Sequence, residues 1–373
     1  MKQRTHQNYS MPFVFEVVVC KDNMYYSVAI NRSDNVKYKV DYYAVCDNPD
    51  CTFFKKRYHE DFECYFNKAG TYRIALHGAF PGLCFKDYDR SGNELYWGSY
   101  WNGMGRQKLT RDNEDWYYRD YYGVYLSNII AWGSNEWMNM ERMFNGCRYI
   151  RISAMDAPDM RHVRSLYKMF NWCVYFNSYI DHWDVSQITD MSYMFANALR
   201  FNKPLNRWDV SHVKYMNGMF CFSRSFNQPL DKWDVSNVTN MDEMFKNAWE
   251  FNQPLNTWNV SNVNHMASMF SVDRWRPTKY YDEDGLATIW NFSGNAEGCF
   301  NHPLDRWNVS NVEDMSDMFS GQTRFNQPLN AWDISKVKNM SRMFKGAESF
   351  KQCMADWDLS RVKHTEDMYA DVG

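Results

Sequence analysis

Over about the first 90 residues, apolar and polar side chains alternate in the manner typical of half-buried β-strands. The alternating stretches are FVFEVVVC from residue 13, YYSVAI from residue 25, VKYKVDYY from residue 36 and TYRIALHG from residue 71. Asn, Asp and Gly residues separate these stretches, as expected for turns. The pattern predicts a small β-sandwich over residues 11–93, preceded by a tail at residues 1–10.

From residue 129 onwards the period is longer, and one phrase recurs every 25 residues. FNQPLNTWNVSNVNHMASMF at 251–270 is nearly repeated as FNQPLDKWDVSNVTNMDEMF at 226–245 and as FNQPLNAWDISKVKNMSRMF at 325–344. The tryptophans of this phrase stand at positions 183, 208, 233, 258, 307, 332 and 357, and only the step from 258 to 307 departs from 25 residues. With degenerate copies upstream, the segment contains about nine units.

The spacing of apolar residues within a unit predicts a strand followed by a helix. Leu255, Trp258 and Val260 have the spacing of a short strand, and Ser261 then stands where a helix N-cap is expected. Met266 and Met269 continue the pattern at steps of three, as on one face of a short helix. Since one unit cannot bury both of its faces, neighbours must stack. The predicted fold class is therefore α+β: a β-sandwich followed by a solenoid with parallel short strands and short helices.

Residues 271–296 interrupt the repeats and allow two accounts. A loop could leave the stack after Phe270 and rejoin it near Ala296, or a degenerate unit could fill the same length. The text YYDEDG at 280–285 cannot fill an apolar core position, which favours the loop. We expect an excursion with a short helix at 286–292, and we expect Trp258 and Trp307 to lie on adjacent units.

The repeated phrase resembles the BspA-like leucine-rich repeats, which also occur in mycoplasma surface lipoproteins; the match is strongest over residues 176–350. The resemblance implies a parallel-stranded solenoid used for adhesion or recognition without catalysis, in proteins of bacterial surfaces, protists and large DNA viruses. YFNKAGTYRIALHG at 65–78 is similar to the closing hairpin of PKD-type immunoglobulin-like domains, which often precede this repeat. The chain is accordingly divided into a tail (1–10), a sandwich (11–93), an aromatic-rich insertion (94–128) and a leucine-rich-repeat solenoid (129–373) with an insertion at 271–296.

Candidate partner-binding residues come from the two segments that fit neither period. Exposed Trp and Tyr carried on a rigid scaffold are common anchors of protein interfaces. The alternative is that these aromatic residues seal the joint between sandwich and solenoid. The candidates in the first segment are Trp97, Tyr100, Trp101, Trp116, Tyr117 and Tyr118, and those in the second are Trp275, Arg276, Tyr280 and Tyr281.

Two polar columns recur in the repeats. The residue after each repeat Trp is Asp or Asn. The carboxylates of this column either accept hydrogen bonds from nearby groups or form a ladder that binds cations. The Asn after each repeat Phe is expected to point inward and to bond backbone groups of adjacent units. Cys46, Cys51, His59 and Cys64 contain the ligand types of a zinc site, but their spacing matches no compact finger, so we expect no metal and no cofactor.

Charge and composition limit the function further. The formal net charge of −3 gives no field for nucleic acid, and the absence of a long apolar run predicts no membrane insertion. The N-terminus lacks the apolar core of a signal peptide, and the ten Cys are scattered, so we expect synthesis in the cytoplasm with free thiols.

These features predict a non-enzymatic protein that recognises or assembles with protein or glycan partners. Family resemblance places it on a cell or virion surface as an adhesin-like module. The alternative is a structural component of a virion or another particle, such as a capsid or fibre protein, with copies of itself or other particle components as partners. No catalytic motif was found that would suggest an enzyme.

Overall fold

The computed structural model describes residues 11–31, 40–89, 122–273, 280–281, 287–288 and 297–372. Its strands are β1 Phe13–Val19, β2 Met24–Ile30, β3 Asp41–Cys46, β4 Cys51–Phe53, β5 Phe62–Phe66, β6 Gly70–Ala79, β7 Leu83–Cys84, β8 Tyr88–Asp89, β9 Tyr122–Ala131, β10 Arg151–Ile152, β11 Tyr280–Tyr281 and β12 Ala287–Thr288. No helix among these residues is long and apolar enough to cross a bilayer.

Two sheets form the N-terminal part. The larger has the order β10-β9-β1-β6-β3, with β8 paired to β9, and the smaller has the order β4-β5-β2-β7. Side chains alternate between buried and half-buried along β1, as the sequence pattern requires. Phe15 of β1 meets Phe62 of β5 edge to face, with ring centroids 6.3 Å apart, so the two sheets share an aromatic core.

The predicted α+β class is wrong, because the repeats form neither the short helices nor the parallel strands of the expected solenoid. Among the described residues there is no α-helix, and the one helical element is a 3₁₀ turn at Leu359–Arg361. Successive repeats are joined instead by single parallel bridges, for example Asn240 to His265 and His265 to Asp314. The described structure is thus β-sheet followed by stacked turns.

Left-handed backbone conformations explain why the helices do not form. Each repeat has such a residue just before its Met-Phe pair, and most have another four positions later, as in Glu243 (φ 57°) and Asn247 (φ 56°). An α-helix cannot pass through these conformations. The Met244 N–H bonds to the Met241 carbonyl 3.2 Å away, but the Phe245 N–H bonds to the Met269 carbonyl of the next repeat at 2.8 Å. Apolar steps of three therefore reflect successive turns, which share this spacing with a helix.

Ladders of aromatic rings form the core of the stack. Trp258 lies parallel to Trp233 on one side and to Trp307 on the other, with ring centroids 6.5 Å apart in each case. The prediction that Trp258 and Trp307 lie on adjacent units is confirmed. The Trp258 Nε1–H also donates to the Leu230 carbonyl of the preceding repeat at 2.9 Å. The equivalent bond recurs from Trp208 to Trp357, so each of these rings both fills the core and ties two repeats together.

The excursion between these two tryptophans is described only in part. Tyr280–Tyr281 pairs antiparallel with Ala287–Thr288. The expected helix at 286–292 is wrong at residues 287–288, which are extended. The other residues of 274–296 lie outside the described part of the chain.

The larger sheet and the first repeats are joined directly. β9 pairs with β1 on one side and with β10, which belongs to the first repeat, on the other. Phe85 stacks on Phe144 of the first Met-Phe pair at 5.7 Å. The Asp87 carboxyl group is buried here and accepts the Leu126 N–H at 3.0 Å. β9 runs across the boundary drawn at residue 128. The four-part division of the chain stays a prediction.

Candidate contact surface

The asparagine column stabilises the stack. The Asn227 side-chain oxygen accepts the Asn252 N–H at 3.0 Å and the Gln253 side-chain amide at 2.9 Å. The same backbone bond recurs from Asn177 up to Lys351. The expected bonding between adjacent repeats is confirmed, but the expected inward orientation is wrong, because these side chains are half-buried or exposed.

The column that follows each Trp caps local turns. The Asp234 carboxylate accepts the Ser236 N–H at 3.0 Å, and the equivalent bond recurs in every unit from Asp184 to Asp358. Hydrogen bonds from the serine two residues later lower the pKa of Asp209 and Asp333. The interpretation as local hydrogen bonding is confirmed, and it accounts for the repeated acidic position without a bound cation.

Three of the cysteines considered as zinc ligands come together where β3, β4 and β5 meet. The Cys51 thiol hydrogen-bonds to both Cys46 and Cys64. The bond to Cys51, together with burial, raises the pKa of the Cys46 thiol well above its usual value, so this group stays protonated. Within the described ranges, no three His, Cys, Asp or Glu side chains are grouped so as to hold a metal ion.

Two of the ten predicted contact residues lie in the described part of the chain. Tyr280 and Tyr281 form β11. The other eight lie outside the described residues: Trp97, Tyr100, Trp101, Trp116, Tyr117, Tyr118, Trp275 and Arg276.

The first three repeats carry a group of tyrosines and cations that we call the tyrosine–cation surface. It has two clusters, one containing Tyr125, Tyr149, Tyr175, Arg148 and Arg200, and the other containing Arg142, Tyr167, Lys168 and Tyr193, with the pair Tyr179 and Lys203 nearby.

In the first cluster, three tyrosines form a continuous stack. The Tyr149 ring lies parallel to that of Tyr175 with centroids 5.1 Å apart, and Tyr125 of β9 packs on Tyr149 at 5.2 Å. The Arg200 guanidinium lies 4.5 Å from the centre of the Tyr175 ring, and that of Arg148 lies 5.2 Å from it. Both distances are within the range of cation–π attraction.

The second cluster repeats this chemistry at another position of the same repeats. The Lys168 ammonium lies 5.1 Å from the Tyr167 ring centre and 5.4 Å from that of Tyr193, and Arg142 lies 5.4 Å from Tyr167. The most accessible ring nearby belongs to Tyr179, which is 62% exposed and has the Lys203 ammonium 4.3 Å from its centre.

The stack itself does not require these residues. In later repeats the position of Tyr149 and Tyr175 is occupied by Ser225, Glu250, Arg324 and Ser349, and those repeats stack equally regularly. Only one other cation–π contact occurs in the described part of the chain, between Arg224 and Trp249. The tyrosine–cation surface is therefore a chemical specialisation of the first repeats.

This surface adjoins the predicted aromatic insertion. Asp89 at the end of β8 pairs with Tyr122 at the start of β9, so the chain leaves for that segment and returns from it at one place. Three residues further along β9 stands Tyr125, the first ring of the stack. The signal available in the sequence was the concentration of Tyr, Arg and Lys at the variable positions of repeats between residues 142 and 203.

Comparison with known proteins gives one match. The family model described as "Mycoplasma protein of unknown function, DUF285" matches residues 138–232, 215–275 and 287–373, which together make up more than half of the chain. No curated protein and no solved structure matches the chain.

Proposed function

Since this chain belongs to the family of Mycoplasma proteins of unknown function DUF285, we propose that it is a non-enzymatic recognition protein that contacts protein partners through the tyrosine–cation surface. The observation that carries the proposal is a set of half-buried tyrosines in contact with Arg or Lys, together with the exposed Tyr179, in the first three repeats, whereas later repeats stack without such a set. A closer relation to the BspA-like surface repeat proteins is part of this proposal and rests on the repeated phrase at 226–245 and its copies.

The chemistry of the surface supports a protein partner. Tyr and Arg are enriched at the energetic centres of protein interfaces, because each offers a large flat group together with hydrogen-bonding atoms. Here the cations already rest on the rings, so little side-chain freedom is lost when a partner covers them. The stacked repeats fix the spacing of these groups, as a rigid scaffold does for binding loops.

A photo-crosslinking experiment tests this proposal. A photoreactive phenylalanine analogue replaces Tyr179 in one variant. In a second variant it replaces Tyr369, which is 46% exposed and belongs to the last repeat. Each is irradiated with surface proteins of the source cells, with purified particles, or with the unlabelled protein itself. We expect position 179, and not 369, to yield a discrete crosslinked protein, whose origin distinguishes an adhesin from a particle component.

The matched variants use residues that the repeats already contain. Tyr175→Ser with Arg200→Ser copies Ser225 at the equivalent position, and Arg324→Ser makes the same change in a distant repeat. The crosslink at 179 should disappear in the first variant and persist in the second. Equal crosslinking at 179 and 369, or a product at 179 that survives loss of the Tyr175 cluster, would refute the proposal, and capture of neutral glycans at 179 would move it to another ligand class.

A further inference from the structure

The position after the serine of each WDVS phrase is neutral in the middle of the stack. Asn237, Asn262 and Asn311 occupy it there. Each donates its side-chain amide to a Ser carbonyl of the preceding repeat, at 2.6 to 2.7 Å. An uncharged side chain at this position therefore contributes to holding the repeats together.

The last two repeats replace this asparagine with a cation. Lys336 and Arg361 stand at this position, and Lys338 and Lys363 stand two residues further on. The earlier repeats have Thr189, Lys214, Thr239, Asn264 and Glu313 at that second position. Equivalent residues of stacked units lie roughly 5 Å apart, so these cations form two short rows of like charge that repel one another. Lys336 and Lys338 each bond to the preceding repeat, whereas neither Arg361 nor Lys363 forms an ion pair with a described carboxylate.

The four cations line a surface groove. It has a volume of about 350 Å³ and is also lined by Glu313, Ser335 and Val337. Glu313 is its one acidic lining residue, and it pairs with Lys338 of the next repeat. The hydrogen bond from the Lys338 ammonium lowers the pKa of Glu313.

The remaining cations of the groove form no ion pair within the described part of the chain. Lys336 bonds to the neutral side-chain oxygen of Asn311, and no ion pair joins Lys336, Arg361 or Lys363 to a described carboxylate. Asp333 and Asp358, the nearest carboxylates in sequence, accept the N–H groups of their own serine turns, and Lys336 and Arg361 add to the lowering of their pKa without forming an ion pair with them. The groove therefore presents three cations to solvent on a fixed backbone.

We propose that this groove binds an acidic peptide segment of a partner protein. Glu313 supplies the pattern: its carboxylate sits one repeat before the ammonium that it neutralises. A ligand carboxylate between Lys338 and Lys363 continues that ladder by one level, and the Arg361 guanidinium accommodates a second carboxylate in a forked hydrogen bond. This inference goes beyond the proposed function and does not depend on it, because it involves none of the residues of the tyrosine–cation surface.

The repeats provide variants that should retain the fold. Lys336→Asn with Arg361→Asn restores the residue that bonds across repeats elsewhere, as Asn311 does. Lys214→Thr with Lys232→Thr removes the same charge from earlier repeats and is the control, since Thr239 and Thr257 occupy the equivalent positions one repeat later. Thermal melting of both variants should stay within a few degrees of the parent protein.

Fluorescence anisotropy with a labelled hexaglutamate peptide measures the binding. We expect saturable binding that weakens at least about tenfold in the Lys336→Asn, Arg361→Asn variant, remains within about twofold in the control, and falls with added salt. A hexaglutamine peptide should not bind. Equal loss in both variants, or no binding of hexaglutamate by the parent protein, would overturn the proposal. Displacement of the peptide by a sulfated oligosaccharide that binds more tightly and shows the same variant dependence would assign the groove to glycans instead.

Discussion

The indole–carbonyl ladder predicts that two tryptophans at the same repeat position and of the same burial contribute differently to stability. Trp258 and Trp183 are each 3% exposed. The Trp258 Nε1–H donates to the Leu230 carbonyl at 2.9 Å, whereas the Trp183 Nε1–H is buried without a hydrogen-bond partner among the described residues. Replacing each by Phe removes a similar amount of ring and the same N–H group, so the lost packing largely cancels in the comparison.

The expected magnitudes follow from these contacts. The smaller ring costs about 1–2 kcal/mol of unfolding free energy at either position. Trp258→Phe also loses a net hydrogen-bond contribution of about 1 kcal/mol. The Leu230 carbonyl is not left unpaired by this change, because it still accepts the Trp233 N–H. Trp183→Phe instead removes an unpaired buried donor, whose burial costs about 1–3 kcal/mol. Trp258→Phe should therefore be the more destabilising change, by about 2 kcal/mol or more.

Guanidinium denaturation followed by circular dichroism measures this difference. The free energies are compared only where the denaturant slopes of the variants agree, because long repeat arrays can unfold in parts. Trp332→Phe, which loses an equivalent bond to the Leu304 carbonyl at 2.9 Å, serves as a second hydrogen-bonded case and should resemble Trp258→Phe. Equal destabilisation by Trp183→Phe and Trp258→Phe would refute the view that the indole bonds stabilise the stack.

Three further predictions concern the excursion, a buried acid and the thiols. Deleting residues 274–297 restores the 25-residue step between Trp258 and Trp307, so the shortened protein should melt cooperatively near the parent temperature; aggregation on expression would show that the excursion supports the fold. Burial raises the pKa of Asp87 to about 8, so the folded state keeps a proton that the unfolded state loses near 3.8. Stability is therefore lost as pH rises from about 4 to 8, and the unfolding free energy of Asp87→Asn should gain on that of the parent across this range; a constant difference in urea titrations at pH 5 and 7.5 would contradict this. All ten thiols are free, so the melting temperature should not respond to reductant, and a shift of many degrees in calorimetry would count against that assignment.

The sequence predicted the strands and the repeat stacking because both depend on which side chains are buried. Alternation in β1 and β2 and the 25-residue recurrence of Trp and Met-Phe are direct records of burial. Apolar steps of three fit both a helix and a series of turns, so this spacing alone does not distinguish the two. The left-handed position just before each Met-Phe pair carries no compositional signal, since it holds residues as different as Tyr193 and Glu243. The left-handed position four residues later does carry such a signal, with Gly or Asn at positions 146, 197, 247, 321 and 346.

The contact surface was harder to predict than the fold. The sequence is densest in aromatic residues at 94–128, most of which lies outside the described structure, whereas Tyr149 and Tyr175 are 26 residues apart and look unrelated in the sequence. Only stacking of the repeats places their rings 5.1 Å apart. The cations of the last repeats are visible in the sequence as departures from the repeated phrase. The groove that they line becomes evident only in the structure, where those repeats are stacked.

The direction of the bonds between repeats affects how the chain can be made. In one repeat the N–H groups of Met241, Glu243, Phe245 and Asn247 donate to carbonyls 24 residues further along the chain. During synthesis a repeat therefore leaves the ribosome with these donors still bonded to water, and they find their partners only when the next repeat has followed. Folding of the stack must lag translation by one unit, with each new repeat completing the one before it.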